Sequence, residues 1–169
     1  MSSETPHSDG RADALALLAT AAVVYAADQL TKALVVANIE LGRSVDVVGD
    51  LFQLWHARNA GAAFSMLQGE QLLFLVVSVV ALGMIVYFHR AFRGHSRWLQ
   101  AILGLVLGGT LGNLTDRVRQ GYVTDFVSVG FGDVRFPTFN VADSAVVVGI
   151  GLLVLYLLIV DRRREQVTA

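Results

Sequence analysis

The sequence predicts a polytopic α-helical membrane protein: four transmembrane helices with a small extracytoplasmic β-rich segment. Three observations predict it. The 169-residue chain is 54% hydrophobic and only 16% charged, whereas soluble domains average roughly 45–50% apolar and about 25% charged. The excess is gathered into four blocks, the first of them longer than the roughly 20 helical residues that a hydrocarbon core needs. Two long mixed segments separate the blocks, and the first carries short runs of strand-forming residues.

Residues 1–13 are mostly polar and predict a cytoplasmic tail without fixed structure. A single membrane domain is expected over 14–160. Its first span, 14–38, is interrupted only late, by Asp28, Gln29, Thr31 and Lys32. It has no clear basic leader and no small-residue cleavage site, so it reads as a retained span. Asp28 and Lys32 are four apart and share a helix face. They form either a local ion pair at the interface, with Lys32 snorkelling, or a polar group that faces the bundle and holds others.

Residues 39–70 form the first segment outside the bilayer. Residues 45–49 and 51–55 read as short strands, turning at Gly49 and Asp50. Trp55 suits an interfacial anchor, and the lone His56 predicts a structural or surface role. The run of small residues through 58–66 predicts a short interfacial helix or a partly buried loop. The second span, 71–89, has no charge from Leu72 to Phe88. The third, 98–113, contains Gly104 and Gly108, a spacing that permits close helix packing. Residues 114–140 are a second long connection, with 117–140 outside the membrane and broken by Gly130, Gly132 and Pro137. The fourth span, 141–160, ends sharply at the charged run 161–165, and 161–169 form a cytoplasmic tail.

Arg11, Arg90, Arg93, Arg97 and Arg162 to Arg164 sit in short segments next to span ends. The positive-inside rule then places both termini in the cytoplasm and both long segments outside. With no cysteine in the chain, disulfides, thiol catalysis and thiolate metal sites are excluded, as is lipid attachment to a cysteine of this chain. A net charge of −1, without any recognisable motif, gives no case for nucleic acid.

Charge near membrane level is costly and marks function. Asn113, Asp116 and Arg117 are spaced i, i+3, i+4 and share a face if the third helix continues through them. Asn140 and Asp143 have N-cap and N3 spacing, so a capping contact alone could account for them. Asp125 and Asp143 together favour a catalytic pair. Two close carboxylates in a poorly solvated place share a proton, the state that serves acid–base hydrolysis of a peptide bond. One acid takes a proton from water while the other donates to the carbonyl oxygen and later helps the amine leave. No metal, cofactor or covalent intermediate is required. A first-turn position favours the charged form of Asp143, making it the base and Asp125 the acid. Asn59, Asn113, Asn140 and Arg117 are candidates to orient the acids or hold the substrate backbone.

Five ordered pieces resemble the lipoprotein signal peptidases, or signal peptidase II family: Asp28-Gln-Leu-Thr-Lys32, Arg58-Asn-Ala-Gly-Ala-Ala-Phe64, Gly108-Gly-Thr-Leu-Gly-Asn-Leu-Thr-Asp-Arg117, Val123-Thr-Asp-Phe126 and Phe139-Asn-Val-Ala-Asp143. The resemblance covers residues 14–160. It implies an aspartic endopeptidase of the bacterial inner membrane; the candidate site, at the outer face, is complete in one chain, so a functional monomer is expected. The expected substrates are diacylglyceryl-modified prolipoproteins, cleaved on the amino side of the modified cysteine. Membrane lipid and globomycin-type inhibitors are the other implied partners. The family's catalytic pair falls on Asp125 and Asp143; its other polar positions fall on Asp28, Lys32, Asn59, Asn113, Asp116, Arg117 and Asn140. Asp28, Asp116 and Arg117 are associated with maintaining the site. Ala60 stands where Thr is frequent, and Thr115 where an aliphatic residue is frequent. Residues 39–69 and the turn near 130–137 are expected to form a platform and a lid, with Phe131 close to substrate. A proton-coupled carrier or a scaffold in which the acids only cap and pair are the competing readings.

Overall fold

Glycines decide how the helices pack. The computed structural model describes residues 10–61, 71–94 and 96–168. Its elements are α1 (Gly10–Asn38), β1 (Ser44–Val48), β2 (Phe52–Asn59), α2 (Gln71–Ala91), α3 (Arg97–Gln120), β3 (Val123–Phe131), β4 (Val134–Arg135) and α4 (Val141–Thr168). α3 is central and packs against the other three helices. A Cβ added at Gly104 would lie 2.6 Å from the Leu17 carbonyl oxygen, and one at Gly108 2.6 Å from that of Ala21. The Gly-xxx-Gly pair thus seats the backbone of α1 directly on α3. Gly109 does the same for α4, where a Cβ would collide with the Ala142 carbonyl. Leu17, Ile85, Leu103 and Val106 form the apolar centre.

All four helices are long and apolar enough to cross a membrane. Val76, Val79 and Val80 on α2, and Val147, Ile150 and Val154 on α4, are exposed. Hydrocarbon is the solvent in which such faces are stable. This is the expected four-span α-helical membrane fold, carrying a small sheet.

The sheet is antiparallel in the order β1-β2-β3-β4. The two predicted strands correspond to β1 and β2, but β2 runs on to Asn59. Arg58 and Asn59 therefore lie in a strand, not in an interfacial helix or loop; Asn59 pairs with Val123, and Arg58 with Thr124. Residues 62–70, the rest of that motif, lie outside the described residues. β3 and β4 were not expected from the sequence. Polar Thr124, Asp125 and Ser128 are buried in β3 beside Val123 and Phe126, which erases the apolar alternation by which strands are read.

Helix boundaries also differ from expectation. α1 begins at Gly10, so Asp13 belongs to a helix. It is buried, and its Oδ2 accepts a 2.7 Å bond from the Gly94 amide, tying the α2–α3 turn to α1. Buried Gln100 supports the same turn through the Phe92 carbonyl, 3.3 Å away. α3 continues through Asn113, Asp116 and Arg117 to Gln120. It stops at Gly121, whose φ of 79° reverses the chain while its amide bonds the Arg117 carbonyl. α4 does not stop at the charged run: the helix reaches Thr168. Arg, Glu and Gln are good helix formers, and no Gly or Pro intervenes. His56 is buried with Nδ1 2.7 Å from the Ile39 carbonyl oxygen, a structural role.

Candidate active site

Asn140 precedes the first residue of α4 and caps it. Its Oδ1 accepts the Asp143 amide at 2.9 Å, while Asp143 Oδ2 accepts the Asn140 amide at 3.2 Å. This is a reciprocal capping box with Asp in place of the usual Glu. The other Asp143 oxygen, Oδ1, accepts a 2.7 Å bond from the Asn113 amide on α3. Local sequence therefore fixes Asp143 from one side and a neighbouring helix fixes it from the other.

Asp125 is brought to the same place by sheet pairing. β3 lies against β2 with Asp125 opposite Ala57. Asp125 Oδ2 accepts from Asn59 Nδ2 at 2.9 Å, and Oδ1 from Asn140 Nδ2 at 2.6 Å. The Asn140 amide also points at Asn113 Oδ1, 3.2 Å away. Asn140 and Asn113 thus bridge the two carboxylates. Asp125 is only 1% exposed. Burial, and then the charge of nearby Asp143, push its pKa up to about 7, against the opposing pull of the Asn59 and Asn140 hydrogen bonds and of Lys32.

Asp28, Lys32 and Asp116 form a buried ion triad beneath these groups. Lys32 Nζ lies 2.8 Å from Asp28 Oδ2, 2.9 Å from Asp116 Oδ2 and 2.9 Å from Asn113 Oδ1. The Asp28–Lys32 pair therefore faces the bundle; the interfacial, snorkelling alternative does not hold. Gln29, a residue the sequence did not single out for the site, reaches both acids, at 3.2 Å from Asp28 Oδ2 and 3.1 Å from Asp116 Oδ1. Its position beside Asp28, one residue round the helix, was the available signal. Arg117 lies with its guanidinium 4.9 Å from the centre of the Phe74 ring, and bonds the Asn113 carbonyl at 3.4 Å.

A cleft of about 550 Å³ opens beside the carboxylates. Asn59, Gly61, Arg117 and Asp143 line one part; Phe136 to Phe139, Ser144, Val147 and Val148 line the rest. It joins a polar end to an apolar wall on a membrane helix, which suits an extended backbone attached to an apolar segment. Asp125 is reached through Asn59, which lines the cleft and bonds it. Phe131, expected close to substrate, is 66% exposed and is not among the residues that line the cleft, whereas Phe136 and Pro137 are. Arg135 anchors this wall, with Nη1 3.0 Å from Asp50 Oδ1 and Nε 2.8 Å from Ser128 Oγ.

Residues 20–159 match the family model described as Signal peptidase (SPase) II. A lipoprotein signal peptidase of Shouchella clausii is 43% identical over 148 residues, covering 88% of this chain and 96% of that one. One from Symbiobacterium thermophilum is 41% identical over 147 residues, covering 87% and 95%. A bacterial membrane enzyme solved by the in meso method superposes with a TM-score of 0.77 at 32% identity, over 84% of this chain and 87% of that one. Likeness of this extent, along nearly the whole length of each relative, leaves one assignment: the chain belongs to the signal peptidase II family, the lipoprotein signal peptidases.

Proposed function

We propose that Asp125 and Asp143 are the carboxylates with which this signal peptidase II removes signal peptides from diacylglyceryl-modified prolipoproteins, cleaving on the amino side of the modified cysteine. The observation that carries this is the bridging of the two acids by the Asn140 and Asn113 side chains beside a cleft. Family membership argues against the carrier reading and brings globomycin-type inhibitors as expected ligands.

In the working state the pair holds one proton. Asp125 keeps it, since its burial and its neighbour's charge disfavour a second anion. Asp143 is ionised and takes a proton from a water between the acids. As the water attacks, Asp125 donates its proton to the carbonyl oxygen; when the tetrahedral intermediate collapses, Asp143 passes the proton it took to the departing amine and Asp125 regains its own. The substrate carbonyl replaces the Asn59 amide at Asp125 Oδ2. Arg117 and Asn59, both in the cleft wall, hold the backbone on either side of the scissile bond.

The protein is a multi-pass protein of the inner membrane. The distribution of Lys and Arg supports cytoplasmic termini, with residues 39–70 and 117–140 and the site at the outer face. A substrate whose acyl chains stay in the outer leaflet meets a site at that level without leaving the membrane. The groups named all come from one chain, so a monomer suffices.

The test is cleavage of a diacylglyceryl-modified prolipoprotein by purified protein in detergent. Asp125→Asn and Asp143→Asn, each shown to be folded, should lose activity by about 10²–10⁴-fold, the usual contribution of an acid or base. Near-wild-type turnover by either variant would overturn the paired-acid mechanism.

A further inference from the structure

The two acids of the buried ion triad share a property that pairing with Lys32 does not require. Asp28 Oδ1 accepts the Ala142 amide at 2.9 Å, and Ala142 immediately precedes Asp143. Asp116 Oδ2 accepts the Thr124 amide at 3.3 Å, and Thr124 immediately precedes Asp125. Each triad acid therefore grips the backbone one residue ahead of a dyad aspartate. Lys32 stands between them, with its third bond on Asn113 Oδ1, whose amide nitrogen binds Asp143.

We propose that Lys32 is a positioning residue that sets the separation of Asp125 from Asp143, acting through the Asp28 and Asp116 contacts with the backbone at Ala142 and Thr124. The inference rests on the dyad reading above and adds what fixes the dyad's geometry. The ammonium has three N–H donors and finds one acceptor for each: Asp28, Asp116 and Asn113. Lys32 also fixes the Asn113 amide orientation. With its oxygen held by the ammonium and by Asn140, only its nitrogen can face Asp143. Gln29 ties the same two acids a second time.

Two physical points support a geometric role. Buried ion pairs contribute little net stability, because desolvation offsets their attraction. Asp28 is 0%, Lys32 4% and Asp116 6% exposed, so this cluster incurs nearly the full desolvation penalty. In addition, the amides of Ala142 and Thr124 are joined here through the chain Asp28–Lys32–Asp116. A rigid link between Ala142 and Thr124 is needed if two acids from different elements are to share one proton.

The test uses the full-length enzyme in detergent, with a diacylglyceryl-modified prolipoprotein as substrate. Lys32→Arg keeps the charge between the acids but replaces a compact ammonium by a wide planar group. It should fold with a midpoint of thermal unfolding close to wild type and a KM within roughly threefold. Its kcat should fall by about 10²-fold, the effect of an ångström-scale misplacement. Lys32→Met should lose at least as much kcat. A folded Lys32→Arg enzyme with wild-type kcat would overturn the proposal, as would loss of the folded state in both variants, which would make Lys32 a stability element. Asp125→Asn is run alongside: if it retains turnover, the dyad reading itself fails; if it is inactive while Lys32→Arg is fully active, only the positioning role fails.

Discussion

Asn140 donates a 2.6 Å hydrogen bond to Asp125 and, with its other side-chain atom, accepts the amide of the first turn of α4 at Asp143. One side chain thus ends a membrane helix and reaches a strand acid. The capping and catalytic explanations of the Asn140–Asp143 spacing, alternatives on sequence alone, are compatible in this geometry. A helix cap is among the more rigid local structures available. Placing an acid within one offers preorganisation that a loop would not.

The two duties of Asn140 can be separated by substitution. Ser caps a helix about as well as Asn, but its hydroxyl is too short to take the place of the Asn140 amide at Asp125. Asn140→Ser should therefore keep the cap and lose the donor, while Asn140→Ala loses both. The Ala variant should be less stable than the Ser variant by about 1 kcal/mol. Both should lose kcat/KM alike, by roughly 10–100-fold, the cost of leaving a buried Asp125 oxygen without its donor. Unfolding in mixed micelles and cleavage kinetics on the three proteins check this; a Ser variant with wild-type activity would separate Asn140 from the chemistry.

Activity should decline as pH rises through about 7. Asp125 carries the proton in the proposed mechanism, and burial together with the charge of Asp143 lifts its pKa to about 7. Above that pH the pair becomes doubly ionised, the acid is lost, and the rate falls by a factor of ten per unit. The profile of kcat/KM against pH, measured with one modified substrate in one detergent, shows the limb. A rate that stays flat to pH 9 would contradict Asp125 as the proton donor.

The same raised pKa makes Asp125 a stability liability at neutral and alkaline pH. An unfolded Asp titrates near 3.9, so the folded state holds the extra proton between about pH 4 and 7. Stability from this group is complete below the unfolded value and is lost as pH rises through the folded one. Asp125→Asn removes the ionisation. It should be the more stable protein at pH 8, by at most about 4 kcal/mol, less about 1 kcal/mol for the one amide contact that Asn cannot accept. At pH 4 the advantage should vanish. Thermal unfolding at the two pH values decides it, and equal stability at pH 8 would show that Asp125 is not strained there.

What was legible in the sequence was local. The four spans follow from block hydropathy, the Asn140–Asp143 cap from a three-residue spacing, and the shared face of Asn113, Asp116 and Arg117 from helical periodicity. What was not legible is carried by distant partners. Nothing in 123–131 announces a strand, because its buried Asp125, Thr124 and Ser128 are satisfied by Asn59, Asn140, Gln120 and Arg135 from other elements. Asp13 looked like part of a tail because its partner, the Gly94 amide, lies in another turn. Asp50 and Arg135 read as ordinary loop charges, yet together they tie the β1–β2 turn to the cleft wall. Polar residues in this chain were easy to notice and hard to pair.

Glycines on the helices should divide sharply by what faces them. At Gly108 an added Cβ would lie 2.6 Å from the Ala21 carbonyl oxygen and 2.7 Å from Val24 Cβ, so Gly108→Ala forces α1 away from α3. Overpacking of this kind costs about 1–3 kcal/mol. Because Asp28 and Lys32 ride on α1, the displacement should also reduce activity. At Gly151 on α4 a Cβ meets nothing within 4 Å, and Gly151→Ala gains helix propensity, worth up to about 1 kcal/mol. The two substitutions add the same methyl group to two apolar helices, yet they should move the unfolding midpoint in opposite directions. Equal effects would mean that α1 and α3 are not in backbone contact at Gly108, and the route by which the ion triad reaches the carboxylates would need another account.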